Sequence, residues 1–79
     1  MKISNVSILD SRRLEIKYQN GETRVFDITP YIKGEWMGRL GDPEYFKLVS
    51  IEPEFQDTVC WPDGQDIAPH ELYELSVAA

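Results

Sequence analysis

Leu14-Glu15-Ile16-Lys17-Tyr18-Gln19-Asn20-Gly21-Glu22-Thr23-Arg24-Val25-Phe26-Asp27-Ile28 places two β-prone runs on either side of an Asn-Gly turn, the pattern of a β-hairpin. A two-residue loop would set Leu14 opposite Asp27 and so mix core and charge on one face. A three-residue loop, Gln19-Asn20-Gly21, with Gly21 left-handed and a bulge, instead pairs 18 with 22, 16 with 24 and 14 with 26. Leu14, Ile16, Phe26 and Ile28 then share a face, and Arg13 lies opposite Asp27. Because a slip of one residue would turn that apolar set to solvent, the pattern selects the bulged loop. Val25 is the residue that this register turns outward.

Trp61-Pro62-Asp63-Gly64-Gln65 repeats the device, with Pro62 presetting its backbone and Gly64 accepting the left-handed conformation. It pairs Trp61 with Gln65 and Val59 with Ile67, so that Val59, Trp61 and Ile67 share a face and Trp61 is read as core. Thr29 to Gly41 is too broken by glycine for a long helix. Asp42-Pro43-Glu44 is a helix start, a capping acid followed by proline and an acid in the first turn, with Tyr45, Phe46, Leu48 and Val49 as its buried side. A second helix opens at Pro69 with Leu72 and Leu75 three apart; Ala68 is a weak cap, which leaves Asp66 to serve from further back. The predicted architecture is α+β: a small antiparallel meander of about five strands with two short helices on one face. Its core is Leu14, Ile16, Phe26, Ile28, Val59, Trp61 and Ile67 against Phe46, Leu48 and Leu72.

Seventy-nine residues, 42% of them hydrophobic, suffice for one domain, 1–79, and no more. A core this small is marginal alone, and with Ile3 to Leu9 read as a strand at an open edge a homodimer is expected. The single cysteine, Cys60, excludes an internal disulfide and suits a reducing cytoplasm. The alternating N-terminus is unlike a signal peptide, and no stretch approaches a membrane span, so no membrane association is expected.

The net charge of -6 is unevenly spread. Residues 1–48 hold eight basic and seven acidic side chains; residues 49–79 hold seven acids and no Lys or Arg. A nucleic-acid reader needs clustered Lys and Arg, so direct DNA or RNA binding is not expected. The acidic third reads either as a face for a basic protein partner or as a solubilising surface.

Three stretches together resemble one family: Tyr18 to Asp27, then Asp42-Pro43-Glu44-Tyr45-Phe46, then Val59-Cys60-Trp61-Pro62-Asp63-Gly64-Gln65-Asp66-Ile67-Ala68-Pro69-His70-Glu71-Leu72-Tyr73-Glu74. The chain is similar to the domain-of-unknown-function family 2442. That resemblance implies a small bacterial α+β domain, sometimes joined to a helix-turn-helix module or encoded beside another small protein, and it assigns no activity. No such DNA-binding module is read in these residues, which argues against a direct regulatory role.

A search for chemistry finds too few parts. His70 is the only histidine and is read as a surface residue; Cys60 is read as a buried, inert thiol. The acids of the last third do not have calcium-loop spacing, and Gly34, Gly38 and Gly41 do not form a phosphate loop. No catalytic, cofactor or metal residue is therefore assigned. The reading is a noncatalytic protein-interaction domain, antitoxin-like or an adaptor, with candidate contacts at Trp36 and Met37 in a glycine-flanked loop and at Glu54, Asp57 and Glu71. The alternative is a small ligand-binding or enzymatic domain using carboxylates of the C-terminal third.

Overall fold

Tyr18 N–H donates to the Glu22 carbonyl at 2.9 Å and Gly21 adopts a φ of 95°, so the first hairpin carries the bulged three-residue loop. The structure, a computed structural model, describes residues 1–79. Strand β1 (Ile3–Ile8) pairs with β2 (Arg13–Tyr18), and β2 pairs with β3 (Thr23–Asp27) in the register Leu14 to Phe26 and Ile16 to Arg24. Leu14, Ile16, Phe26 and Ile28 are all buried, as the faces of that register require.

After a 3₁₀ turn at Thr29–Tyr31 and another at Met37–Gly41 comes helix α1 (Pro43–Phe46). The Asp42 carboxylate accepts the Glu44 N–H at 3.0 Å, the predicted cap. Strands β4 (Ser50–Ile51) and β5 (Val59–Cys60) form a separate two-stranded sheet. Helix α2 (Pro69–Glu74) follows, and β6 (Val77–Ala78) returns to pair with β3, giving the main sheet the order β1-β2-β3-β6. Both helices bury their apolar residues in the same core as the main sheet. The fold is α+β, with four strands and a small second sheet.

The second hairpin also keeps its predicted turn: Trp61 N–H donates to the Gln65 carbonyl at 2.9 Å, and Gly64 has a φ of 89°. Its arms scarcely form a ladder. The Thr58 hydroxyl donates to the Ile67 carbonyl and Cys60 bridges Asp66, while β5 takes its regular partner from β4. Val59, Trp61 and Ile67 are nevertheless buried together.

Three expectations are corrected. Leu48 is 55% exposed, because α1 ends at Phe46 and the next turn sets a residue two places on at the opposite side. Leu75 is 62% exposed, since α2 ends at Glu74 and the chain swings to β6 with Ser76 as the buried residue. Asp66 does not cap α2, whose N-terminus has no side-chain cap. Strand β6 is an addition to the predicted strands; it flanks β3, pairing Val77 with the outward Val25.

The loop over the core is fixed by Gln65, an amide with no exposure at all. It accepts the Tyr45 hydroxyl at 2.8 Å and donates to the Trp36 carbonyl at 2.8 Å. Tyr45 in turn accepts the Asp63 N–H at 2.8 Å, and the Trp36 indole N–H donates to the Asp63 carbonyl at 3.0 Å. Gln65→Leu keeps the bulk but strands a buried hydroxyl and a carbonyl. It should lower unfolding stability by about 2 kcal/mol and loosen the Trp36 loop, measured by urea denaturation with tryptophan fluorescence.

Candidate functional site

The seven acids of the last third differ in how they are held. Glu52 accepts the backbone N–H groups of Glu54 and Phe55 at 2.9 and 2.7 Å, closing a turn that ends with Gln56 at a φ of 60°. Those bonds, Phe55 first, hold the Glu52 carboxyl below its ordinary range. Asp63 is ion-paired with Arg39, whose guanidinium lies 4.1 Å over the Tyr45 ring. Glu71 accepts the Tyr31 hydroxyl at 2.6 Å. The side chains of Glu54, Asp57, Asp66 and Glu74 form no ion pair or hydrogen bond.

Three cations of the first half are engaged away from these acids. Arg13 pairs with Asp10 at 2.7 Å and Lys47 with Glu44 at 3.5 Å. Arg24 lies 4.5 Å over the Tyr73 ring, donates to the Ser76 hydroxyl at 2.6 Å and to its carbonyl at 2.8 Å, and pairs with Glu22 at 3.3 Å. The Tyr73 hydroxyl donates to both oxygens of Glu22, at 3.0 and 2.9 Å. With Asn20 as the larger influence and Tyr73 next, these bonds lower the Glu22 pKa, and the same contact raises that of Tyr73.

Two neighbouring cavities open beside α2. One, of about 310 Å³, is lined by Glu52, Glu54, Phe55, Asp57, Thr58, Asp66 and Pro69. The other, of about 280 Å³, is lined by Met1, Tyr18, Asp57, Pro69, His70, Tyr73 and Glu74. Asp57 and Pro69 belong to both. Phe55 stands 64% exposed among the acids of the first cavity.

Of the residues singled out from sequence, Glu54 and Asp57 meet in one cavity. Glu71 lines neither, being held by Tyr31. Trp36 and Met37 also lie outside both: Trp36 is 53% exposed with its indole N–H bonded to the second turn, and Met37 packs partly buried on the core. Cys60 is half-buried, its sulfur 3.6 Å from the Ser50 hydroxyl, and His70 is exposed. Phe55 was missed in sequence, although a lone aromatic between Glu54 and Asp57 is the signal that marks it. No three His, Cys, Asp or Glu side chains are grouped as a metal site, and no helix is long and apolar enough to cross a membrane.

The family model described as "Protein of unknown function (DUF2442)" matches residues 3–78. The chain belongs to the DUF2442 family. No curated protein and no solved structure matches it. Membership in DUF2442 brings no activity with it.

Burial pushes the Tyr18 phenol from 10.0 up to about 12, and burial followed by the bond to Glu71 does the same to Tyr31. A raised tyrosine pKa means that folding favours the neutral phenol. Its contribution is complete below pH 10.0 and is lost as pH rises from there toward about 12. The denaturation midpoint of this DUF2442 chain should therefore fall across that window, and Tyr18→Phe should flatten the fall. Because the Tyr18 hydroxyl is buried without a partner, Tyr18→Phe should also stabilise the fold at neutral pH by about 1 kcal/mol, read from urea unfolding.

Proposed function

We propose that this DUF2442 chain is a noncatalytic protein-interaction domain, of adaptor or antitoxin-like type, that docks a basic segment of a partner protein in the acidic cavity around Phe55. The observation that carries this reading is the set of unpaired carboxylates, Glu54, Asp57 and Asp66, surrounding an exposed aromatic ring. Like charges left without local cations repel one another, and a basic partner relieves that repulsion while steering the encounter. Phe55 supplies the apolar anchor on which contact energy concentrates. An enzymatic reading is less well supported: a general acid needs a carboxyl kept neutral by burial, whereas Glu54 and Asp66 are exposed. Self-pairing is a subordinate expectation, because β1 is an edge strand whose start alone is tied down, by the Ile3 N–H to the Gln56 carbonyl at 2.7 Å. Monomeric mass in light scattering at high concentration would remove it.

The test replaces Glu54, Asp57 and Asp66 together with Lys and leaves Glu71 alone, because reversing Glu71 would break its contact with Tyr31. The changes at the exposed Glu54 and Asp66 should each alter stability by no more than about 0.5 kcal/mol, and urea unfolding checks that the change at the half-buried Asp57 keeps the fold. Used as baits in a lysate of the native host, the wild-type chain should capture a partner and the triple variant should not. With the purified partner, association should slow as salt is raised, and Phe55→Ala should speed dissociation. Equal capture by both baits across a salt series would overturn the reading.

A further inference from the structure

Strand β1 has one side without a partner strand, and the backbone fixes which residues face it. The Leu9 N–H donates to the Arg13 carbonyl at 2.9 Å. Backbone direction alternates along an antiparallel ladder, so Ser7 and Asn5 face β2 while Val6 and Ile8 turn their N–H and C=O groups outward. No other strand pairs with β1, and no backbone group elsewhere in the chain bonds to those of Val6 or Ile8. The register shift between Ile3 and Asn5 reverses the direction of Ile3, whose N–H meets the Gln56 carbonyl at 2.7 Å. The unpaired window therefore runs from Asn5 to Leu9. Gln56 closes it at one end, and at the other the chain turns away at Asp10, whose carboxylate accepts the N–H groups of Arg12 and Arg13.

Nothing in this window repels another strand. Ile3 to Leu9 is the longest run of the sequence without a charged side chain, and it contains no proline. Edge strands are commonly guarded by Lys, Pro, an inward charge or a bulge. The one such device here is the bulge at the start of β1, where Gln56 already meets the strand. Val6 and Ile8 pack on the core yet stay half-buried, so the apolar layer is unfinished at this edge. The first charge beyond the window, Asp10, is held by Arg13 at 2.7 Å. A basic segment gains nothing from an uncharged edge. Two copies of a chain of net charge -6, by contrast, repel each other least along such a line.

We propose that β1 pairs antiparallel with β1 of a second copy about a two-fold axis at Ser7, joining two four-stranded sheets into one. Bonds form only between outward-facing residues, so Val6 of each copy exchanges both of its bonds with Ile8 of the other. Asn5 then faces Leu9, and Ser7 faces its own mate. This register uses the whole window, because the second copy's chain leaves the seam at its own Asp10 before it reaches Gln56. Setting Val6 on Val6 would bring Leu9 against Ile3, where Gln56 is bonded, and setting Ile8 on Ile8 would leave part of the window unpaired. Val6 against Ile8 also completes the burial of both side chains. The inference rests on the self-pairing expected above and not on docking at Phe55.

The test uses the full chain with Cys60→Ser, which removes the native thiol, and places single cysteines at the exposed positions 5, 7 and 9. Ser7→Cys should oxidise to a disulfide-linked dimer, because opposed Cα atoms at a non-hydrogen-bonded pair lie about 4.5 Å apart. Asn5→Cys and Leu9→Cys should each fail to crosslink alone, since two copies of either stand about 13 Å apart along the seam. Mixed together, those two variants should crosslink. In the wild-type chain, amide exchange at Val6 and Ile8 should slow roughly tenfold as rising concentration takes the mass in light scattering from monomer to dimer, with little change at Asn5 and Ser7. Monomeric mass throughout, or exchange at Val6 and Ile8 that ignores concentration, would overturn the pairing. Self-crosslinking of Asn5→Cys or Leu9→Cys as readily as Ser7→Cys would overturn the axis. Dimeric mass without the Ser7→Cys crosslink would overturn this register while leaving self-pairing through another surface. Docking at Phe55 is untouched by all of these outcomes and is decided by the triple variant.

Discussion

A single buried amide, Gln65, holds the irregular half of this fold against the regular half. The strands β1 to β3 need only their own ladder and apolar face, but the stretch from Thr29 to Ile67 contains little secondary structure to satisfy its backbone. Gln65 answers that need because an amide both donates and accepts. Its oxygen takes the Tyr45 hydroxyl at the end of α1, and its nitrogen reaches the Trp36 carbonyl in the glycine-broken loop. Arg39, stacked on Tyr45 and paired with Asp63, closes the same clasp from outside. The clasp engages the Trp36 carbonyl and indole N–H in holding the loop down, although the residue stays 53% exposed.

A second cluster governs the electrostatics. Arg24 is the cation best placed to neutralise the α2 region, yet it is committed to Glu22, the Tyr73 ring and Ser76, where it fastens β6 to β3. Tyr73 is shared: its hydroxyl belongs to the Glu22 network, and its ring belongs to the cavity wall. Three cations of the first half, Arg13, Arg24 and Lys47, pair with their own neighbours, and Arg39 alone reaches an acid of the last third, Asp63. Sequence proximity dictates this, as in Asp10 with Arg13, Glu22 with Arg24 and Glu44 with Lys47.

The parts of the fold legible in sequence are those decided by local rules. Gly21 and Gly64 fix the turns, the period-two pattern fixes the register, and Asp42-Pro43 fixes the start of α1. Leu48 and Leu75 were misread because helix periodicity was extended past helices of four and six residues. Strand β6 was illegible because two residues carry no pattern; it exists through Arg24 and Ser76, a contact across 52 positions. Glu54 and Asp57 stood out through charge, and Phe55 between them was readable.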